Sequence, residues 1–202
     1  IYWNKVYEPD HLKLDKEIEK ILEKKNIPFK LFKGNILNEY QSITKNDGTP
    51  FKVFSPFWRN AEQVFLDAVP QKTSEIKKLK SKKTLFNSKD NFKQIMPKKD
   101  WFKKFDQYWK PSEDEAHKNL KEFISNRISK YGVDRDYPSI NGSSKLSPYI
   151  RNGQIHVAAI YEKSSKDIKK NISIRKYINE LGWREFSHSL INYFPQMLKG
   201  NL

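Results

Sequence analysis

Residues 131–153, YGVDRDYPSINGSSKLSPYIRNG, constrain the fold more than any other part of the sequence. The pair Asn141-Gly142 predicts a tight turn. Ser147 followed by Pro148 predicts a helix start, because proline suits the first helical position and serine can cap it. A turn glycine, hydroxyls and a lysine beside a helix start can together bind a phosphate group. The stretch therefore predicts either a phosphate-binding loop or a capped helix with solvated hydroxyls.

The first third of the chain has the pattern of a strand, a helix and a second strand. Residues 1–4 and 29–32 are predicted strands, and Asp10 is expected to cap the helix between them. The apolar residues of that helix recur at helical spacing: Leu14, Ile18, Ile21 and Leu22. The strand–helix–strand order is typical of a parallel α/β layer.

After the first 111 residues the pattern becomes helical. Ser112, with Glu115 three residues later, forms a capping box. Further helices are predicted at 148–153, 157–161 and 172–194. The expected fold class is therefore α/β followed by all-α.

The predicted helix 172–194 carries one unusual face. Steps of three and four residues align five side chains along it: Tyr177, Glu180, Trp183, Arg184 and Ser187. Two rings, a carboxylate, a guanidinium and a hydroxyl suit a planar, hydrogen-bonding ligand, although a surface Arg–Glu face with half-buried rings is the alternative. Gly182 in mid-helix costs about 1 kcal/mol relative to alanine, which indicates that another group approaches it closely.

The chain is strongly basic, with 39 Lys and Arg against 24 Asp and Glu in 202 residues. Such an excess favours a polyanionic partner, with nucleic acid ahead of a membrane surface. Residues 71–110 hold 13 lysines and only four acidic residues. We interpret them as a solvated surface linker, with non-specific attraction to DNA as the alternative.

Several classes of site and location are disfavoured by composition. Cysteine is absent, which excludes disulfides and cysteine-ligated metals, and the four histidines lack metal-ligand spacing, so no metal site is expected. No apolar run approaches the roughly 20 residues of a membrane span, and no signal peptide is visible. We expect a cytoplasmic monomer without a membrane partner.

Two groups of residues, in matching order, resemble motifs of the DNA photolyase/cryptochrome family. Tyr131, then Arg135, then GSSKLSP at residues 142–148 are similar to the family's flavin-binding segment. ELGWREF at residues 180–186, followed by Phe194-Pro195, is similar to a helix of the family. Within the family, the sequence is most similar to class I photolyases that act on cyclobutane pyrimidine dimers.

A third motif extends the resemblance over essentially the whole chain. FKVFSPFW at residues 51–58 resembles the segment that closes the family's N-terminal antenna domain. The resemblance implies that residues 1–67 end a parallel-sheet α/β antenna domain, that 68–111 form a long basic interdomain linker, and that 112–202 begin a helical FAD-binding domain. The chain opens without Met in a strand-like run, so we expect an internal fragment that lacks both ends and is inactive alone.

The resemblance also implies roles for individual residues. Contacts to FAD are expected at Tyr131, Ser143, Ser144, Lys145, Leu146, Ser147 and Tyr177. Contacts to ultraviolet-damaged DNA are expected at Arg135, Glu180, Trp183, Arg184 and Ser187. Glu180 and Trp183 are also the expected catalytic residues, because they would contact the flipped-out lesion. The hydroxyl loop and the mixed helix face are expected to share one cavity.

The implied activity is light-driven repair of cyclobutane pyrimidine dimers by electron transfer from reduced FAD. A second antenna chromophore of folate or deazaflavin type is compatible with it. The alternatives are a cryptochrome-type flavin photoreceptor and a non-catalytic basic DNA-binding fragment. Glu180 and Trp183 favour repair, because a photoreceptor needs no lesion pocket. The antenna pigment and the choice between cyclobutane dimers and (6-4) photoproducts stay open.

Overall fold

The structure is a computed structural model that describes residues 1–65 and 97–200. Residues 1–65 and 112–200 pack into one compact unit, and the described residues 97–111 belong to a second unit. Residues 68–96 of the predicted linker lie outside the described residues. The division into antenna domain, linker and FAD-binding domain stays a prediction.

A small parallel sheet opens the first unit. β1 (Tyr2–Asn4) pairs with β2 (Lys30–Phe32), with Trp3 opposite Leu31. The connection between the strands is α1 (Pro9–Lys24). The predicted fold class is confirmed: a small parallel sheet is followed by a mostly helical chain.

The buried side of α1 differs from its apolar pattern. Three of the residues that define the predicted helix are exposed: Leu14, Ile18 and Ile21. Of that pattern only Leu22 is buried, together with Asp15. Trp3 on β1 donates from Nε1 to Asp15 Oδ1 at 3.0 Å, so this side of the helix faces the sheet. The helix begins at Pro9, so Asp10 is inside it and the predicted cap is wrong.

The chain after the sheet is helical. Its α-helices are α2 (Phe54–Phe65), α3 (Glu113–Asn126), α4 (Tyr131–Asp134), α5 (Ser147–Arg151), α6 (Val157–Ser164) and α7 (Ile172–Tyr193). Short 3-10 helices lie at Tyr40–Ser42, Asp100–Gln107, Ile128–Lys130 and Pro195–Leu198. Within residues 1–65 and 97–200, no helix has both the length and the apolar character that crossing a membrane would require.

Side-chain caps start the two longest helices of the second half. Ser112 Oγ accepts a hydrogen bond from the Glu115 backbone N–H at 3.2 Å, which confirms the predicted cap of α3. At α7, Asn171 Oδ1 accepts from the Ser173 N–H at 2.7 Å. Both caps satisfy N–H groups that would otherwise lack a helical partner.

Helix α7 lies at the centre of the first unit and packs against α2, α4 and α6. The buried side chains between α7 and its neighbours include Ile178 and Phe186 of α7 and, from the other elements, Phe57, Ala61, Leu120, Phe123 and Ile160. Gly182 meets Trp58 so closely that a Cβ would lie 2.6 Å from the indole ring. Trp58 Nε1 also donates to Asn179 Oδ1 at 3.0 Å. The close approach predicted at Gly182 is confirmed, and it joins residues 1–65, hereafter the first segment, to α7.

Candidate functional site

The hydroxyl-bearing loop 141–146 is held from two sides. Gly142 lies against Asp134, where a Cβ would come within 2.6 Å of the backbone carbonyl carbon. Arg127 Nη1 donates to the Ser143 carbonyl oxygen at 3.2 Å. The backbone N–H groups of Ser143 and the two residues after it donate to no acceptor among the described residues. The loop therefore presents free donors and hydroxyls on a fixed backbone.

The helix after this loop begins differently from the prediction. Ser147 is the first residue of α5, and Leu146 precedes it with helical backbone angles. Lys145 adopts the left-handed conformation, with a φ of 54°. The chain therefore turns at Lys145 and is already helical before Ser147, so Ser147 is not a capping residue.

Three aromatic rings pack between α3, α4 and α7. The Tyr177 ring is 4% exposed and lies 5.0 Å from Tyr131 and 4.7 Å from Phe123. Burial raises the pKa of Tyr177 to about 12, and the phenol hydrogen-bonds with Ser144. The rings pack on one another, and the Tyr131 hydroxyl accepts from Arg135 at 3.2 Å. The hydroxyl of Tyr177 therefore reaches the loop, whereas that of Tyr131 binds Arg135.

Arg135 and Glu180 form an ion pair over a groove along α7. Arg135 Nη1 donates to Glu180 Oε1, and this hydrogen bond raises the pKa of Arg135. The two side chains are 34% and 40% exposed, so solvent reaches both. The Arg135–Glu180 groove has a volume of about 290 Å³ and is lined, besides this pair, by Gly132, Asp136, Lys176, Asn179 and Trp183.

Trp183 lines the same groove, and its side chain is 47% exposed. The indole stacks on Phe54 with centroids 3.8 Å apart and an angle of 9° between the planes. Phe186 meets it edge-on at 5.9 Å. Ser187, one turn further along, is exposed and donates from Oγ to the Trp183 carbonyl oxygen at 2.8 Å. The groove thus combines an accessible ion pair with a partly exposed indole that is stacked on Phe54.

The loop and the groove line neighbouring hollows rather than the single cavity that was expected. Ser143 and Lys145 line a hollow of about 310 Å³, and Arg135 lines both this hollow and the groove. Ser144 reaches the helix directly by its hydrogen bond with Tyr177. Arg135 is therefore the residue that joins the predicted flavin contacts to the predicted DNA contacts.

Arg184 lies apart from the groove. Its Nη2 donates to the Asn35 carbonyl oxygen at 2.6 Å and its Nη1 to Glu185 Oε1 at 2.8 Å. With Ser147 it lines a third cavity, of about 370 Å³. A helix turns about 100° per residue, so the residue after Trp183 faces the loop that carries Asn35. The structure therefore separates Arg184 and Ser147 from the residues with which the sequence grouped them.

Two polar residues without a clear sequence signal join the first segment to the helices. Asn35 Nδ2 donates to the Ile150 carbonyl oxygen at 2.7 Å, and its Oδ1 accepts from the Val157 N–H at 2.8 Å. Glu185 is buried and accepts from the Leu37 N–H at 2.8 Å. Burial raises the pKa of Glu185 to about 7. The one hint in the sequence was that Glu185 is a charged residue at a position where the helical period of α7 predicts an apolar one.

We expect Glu185→Gln to change how stability depends on pH. The ordinary pKa of the carboxyl is 4.5, and the folded value is about 7. The stabilisation linked to this group is therefore present below pH 4.5 and is lost as the pH rises through about 7. The free energy of unfolding of the wild type, minus that of the variant, should fall by about 3 kcal/mol over this window.

Urea unfolding of both proteins at pH 5 and pH 8 measures this difference. Burial lowers the pKa of His188 to about 4, so its contribution is present above 6.5 and is lost as the pH falls through about 4. That contribution is common to both proteins and cancels in the difference. An equal difference at the two pH values would contradict a carboxyl at Glu185 that titrates near neutrality.

Known proteins resemble this chain over its length. Residues 1–75 match the family model described as DNA photolyase. The chain is 30% identical to the deoxyribodipyrimidine photo-lyase of Agrobacterium fabrum, over 100% of this chain and 42% of that protein. It is 31% identical to the deoxyribodipyrimidine photo-lyase of Alkalihalophilus pseudofirmus, over 90% of this chain and 37% of that protein. The chain thus spans less than half the length of these relatives.

Solved structures have the same fold. A bacterial class III photolyase from Agrobacterium tumefaciens superposes with a TM-score of 0.80 at 28% identity, covering 99% of this chain and 42% of that one. A cryptochrome from Synechocystis sp. PCC6803 superposes with a TM-score of 0.69 at 16% identity, covering 98% and 42%, and this likeness concerns the fold alone. The class I assignment stays a prediction. The family-model match, the sequence relatives and the fold together relate this chain to the DNA photolyases.

Proposed function

We propose that this chain serves light-driven repair of cyclobutane pyrimidine dimers in ultraviolet-damaged DNA, as part of a deoxyribodipyrimidine photo-lyase with reduced FAD as electron donor. The observation that carries the proposal is the Arg135–Glu180 groove with Trp183 beside the ion pair. A flipped-out pyrimidine pair offers matching chemistry, with imide N–H donors for a carboxylate and ring surface for an indole. The relatives with the same named activity support the proposal.

Three residues of the groove have distinct tasks in this proposal. Glu180 accepts a hydrogen bond from a base N3–H, and Trp183 covers ring surface that would otherwise meet water. Arg135 orients the Glu180 carboxylate by a charge-assisted hydrogen bond and is exposed enough to reach a DNA phosphate. FAD, when bound, supplies the electron that opens the cyclobutane ring and receives it back.

The hydroxyl loop suits the phosphate-bearing part of FAD. Free backbone N–H groups on a fixed loop, with nearby hydroxyls and a lysine, are an anion-binding arrangement. Ser143, Ser144 and Lys145 would hold the phosphates, whereas Leu146 is buried and supports the loop from within. Tyr177 would act through the phenol that already contacts Ser144. Ser147 lines another cavity and is not assigned a phosphate contact.

The net charge and the groove favour repair over the alternatives. A net charge of +15 favours a DNA partner. A photoreceptor would have no use for an accessible carboxylate beside an exposed indole, so Glu180 and Trp183 favour repair over a cryptochrome function. A monomeric, cytoplasmic protein remains part of the proposal. These 202 residues alone are proposed to bind the lesion without repairing it.

A second, light-harvesting chromophore of folate or deazaflavin type belongs to the same proposal. The cavity of about 370 Å³ lined by Ser147 and Arg184 also contains Val6, Tyr7 and Ile150. Pockets of this size with mainly apolar walls accept heterocyclic ligands. We therefore infer that this cavity is the binding site of that chromophore.

Binding to matched oligonucleotides tests the proposed function. One carries a single thymine dimer, and the other has the same sequence undamaged. Fluorescence anisotropy should show tighter binding to the damaged strand, and Glu180→Gln should reduce the damaged-to-undamaged affinity ratio about tenfold, since a hydrogen bond to a charged group is lost. The ratio corrects for the general gain in DNA affinity when a negative charge is removed.

Glu62→Gln is the matched control. Glu62 pairs with Arg175 in another Arg–Glu ion pair, which has no part in the groove, so its removal should leave the affinity ratio unchanged. Equal affinity of the wild type for both strands would contradict the repair proposal and favour a non-catalytic basic DNA-binding fragment.

A further inference from the structure

Phe54, a residue of the first segment, covers one face of the Trp183 indole. Phe54, at the start of α2, stacks face to face on the indole at 3.8 Å and 9°. Face-to-face contact at this distance leaves no room for a base on that side of the indole. The exposed part of Trp183 is therefore the part that faces away from Phe54.

Phe54 is itself held in place. Its ring is nearly parallel to that of Trp58, at 12° and 6.2 Å, and meets Phe186 at 6.0 Å. Trp58 is buried and is anchored to α7 by its hydrogen bond to Asn179. The plane of the Phe54 ring is therefore set by the α2–α7 packing, and the plane of Trp183 follows from it.

We propose that Phe54 is a positioning residue that determines specificity for damaged DNA by fixing the plane of Trp183 relative to Glu180. This inference rests on the proposed function of the groove. It assigns part of the recognition of the lesion to residues 1–65, although every residue of the groove itself lies within residues 112–200.

The flat ring of Phe54 is the property that matters. Leucine at position 54 would keep most of the apolar volume but would not impose a plane on the indole, which could then turn about its side-chain bonds. Trp183 would remain present and exposed in the variant. The loss should therefore appear in discrimination between damaged and undamaged strands, and much less in general DNA affinity, which depends on phosphate contacts.

The experiment compares Phe54→Leu, Phe54→Tyr and Phe51→Leu with the wild type on the same two oligonucleotides. Phe54→Leu should lower the damaged-to-undamaged affinity ratio about 3- to 10-fold, with the salt dependence of undamaged binding unchanged. Phe54→Tyr keeps the flat ring and should restore the ratio. Phe51→Leu makes the same chemical change at a buried ring that packs on Phe57, and it should leave the ratio unchanged.

Three outcomes would overturn the inference. If the wild type discriminates and Phe54→Leu discriminates equally well, Phe54 does not position Trp183. If Phe54→Leu and Phe51→Leu lower the ratio to the same extent, the effect is general loss of packing. If the wild type does not discriminate at all, the proposed function itself fails, and the inference fails with it. Urea unfolding of each variant shows that the compared proteins are folded.

Discussion

Replacing Gly182 by leucine should lower the free energy of unfolding by about 4 kcal/mol or more. A Cβ at this position would already lie 2.6 Å from the Trp58 ring, well inside van der Waals contact. Trp58 cannot readily move, because it is buried and donates to Asn179. Leucine forms helices better than glycine by up to about 1 kcal/mol, so the loss reports the packing of α2 against α7.

Urea unfolding followed by circular dichroism measures this loss, and alanine variants supply the matched control. Gly182→Ala should cost about 1–3 kcal/mol by overpacking. At Gly132, a Cβ would meet Lys176 Cδ at 2.9 Å and Ser173 Oγ at 3.0 Å. Lys176 is exposed and its long side chain can shift while Nζ keeps its hydrogen bond to the Gly132 carbonyl oxygen, so Gly132→Ala should cost no more than about 1 kcal/mol. A Gly182→Leu variant as stable as the wild type would contradict the α2–α7 packing.

Replacing Phe123 by alanine should lower the free energy of unfolding by about 3–5 kcal/mol. Phe123 is 0% exposed, and its ring meets Tyr131 at 5.9 Å and Tyr177 at 4.7 Å. The Arg127 guanidinium lies over it at 5.6 Å. Alanine would leave a cavity beneath both tyrosines and would also remove a support of the arginine that holds the hydroxyl loop.

Urea unfolding measures this cost too, with Phe32→Ala as the control for loss of the same side chain at an exposed position. Phe32 is on β2 and is 43% exposed. Its replacement should cost about 1 kcal/mol or less, because its neighbours are not left around an empty space. Equal costs at the two positions would show that the ring cluster around Phe123 is not a packed part of the core.

The order of elements and several helix starts could be predicted because they depend on neighbouring residues. Ser112 caps α3 through a hydrogen bond to a residue three positions away, and the helical period of 172–193 is visible in the sequence. The glycine in mid-helix correctly indicated a close neighbour, since Gly182 is a poor helix former that packing can favour. The identity of that neighbour, Trp58, is 124 positions away and carries no local signal.

Predictions were less successful where they depended on which side of a helix packs against the rest of the protein. The apolar residues of α1 are largely exposed, and the side of the helix that faces the sheet carries Asp15, which accepts from Trp3. Arg184 belongs to the same helical period as Trp183, yet its donors are satisfied by the carbonyl oxygen of Asn35 and by Glu185. Periodicity places residues on a helix but does not reveal which side meets which partner.

By itself, the sequence determined the parallel strand–helix–strand start, the helices that follow, the capped start of α3 and the residue types of the candidate site, because these depend on backbone preferences and short-range hydrogen bonds. Only the tertiary structure decided that Arg135 reaches Glu180, that Phe54 lies behind Trp183, and that the loop and the groove are separate hollows. The physical reason is distance along the chain. Each of these contacts joins residues tens of positions apart, and their energies depend on packing and burial that exist only once the chain has folded.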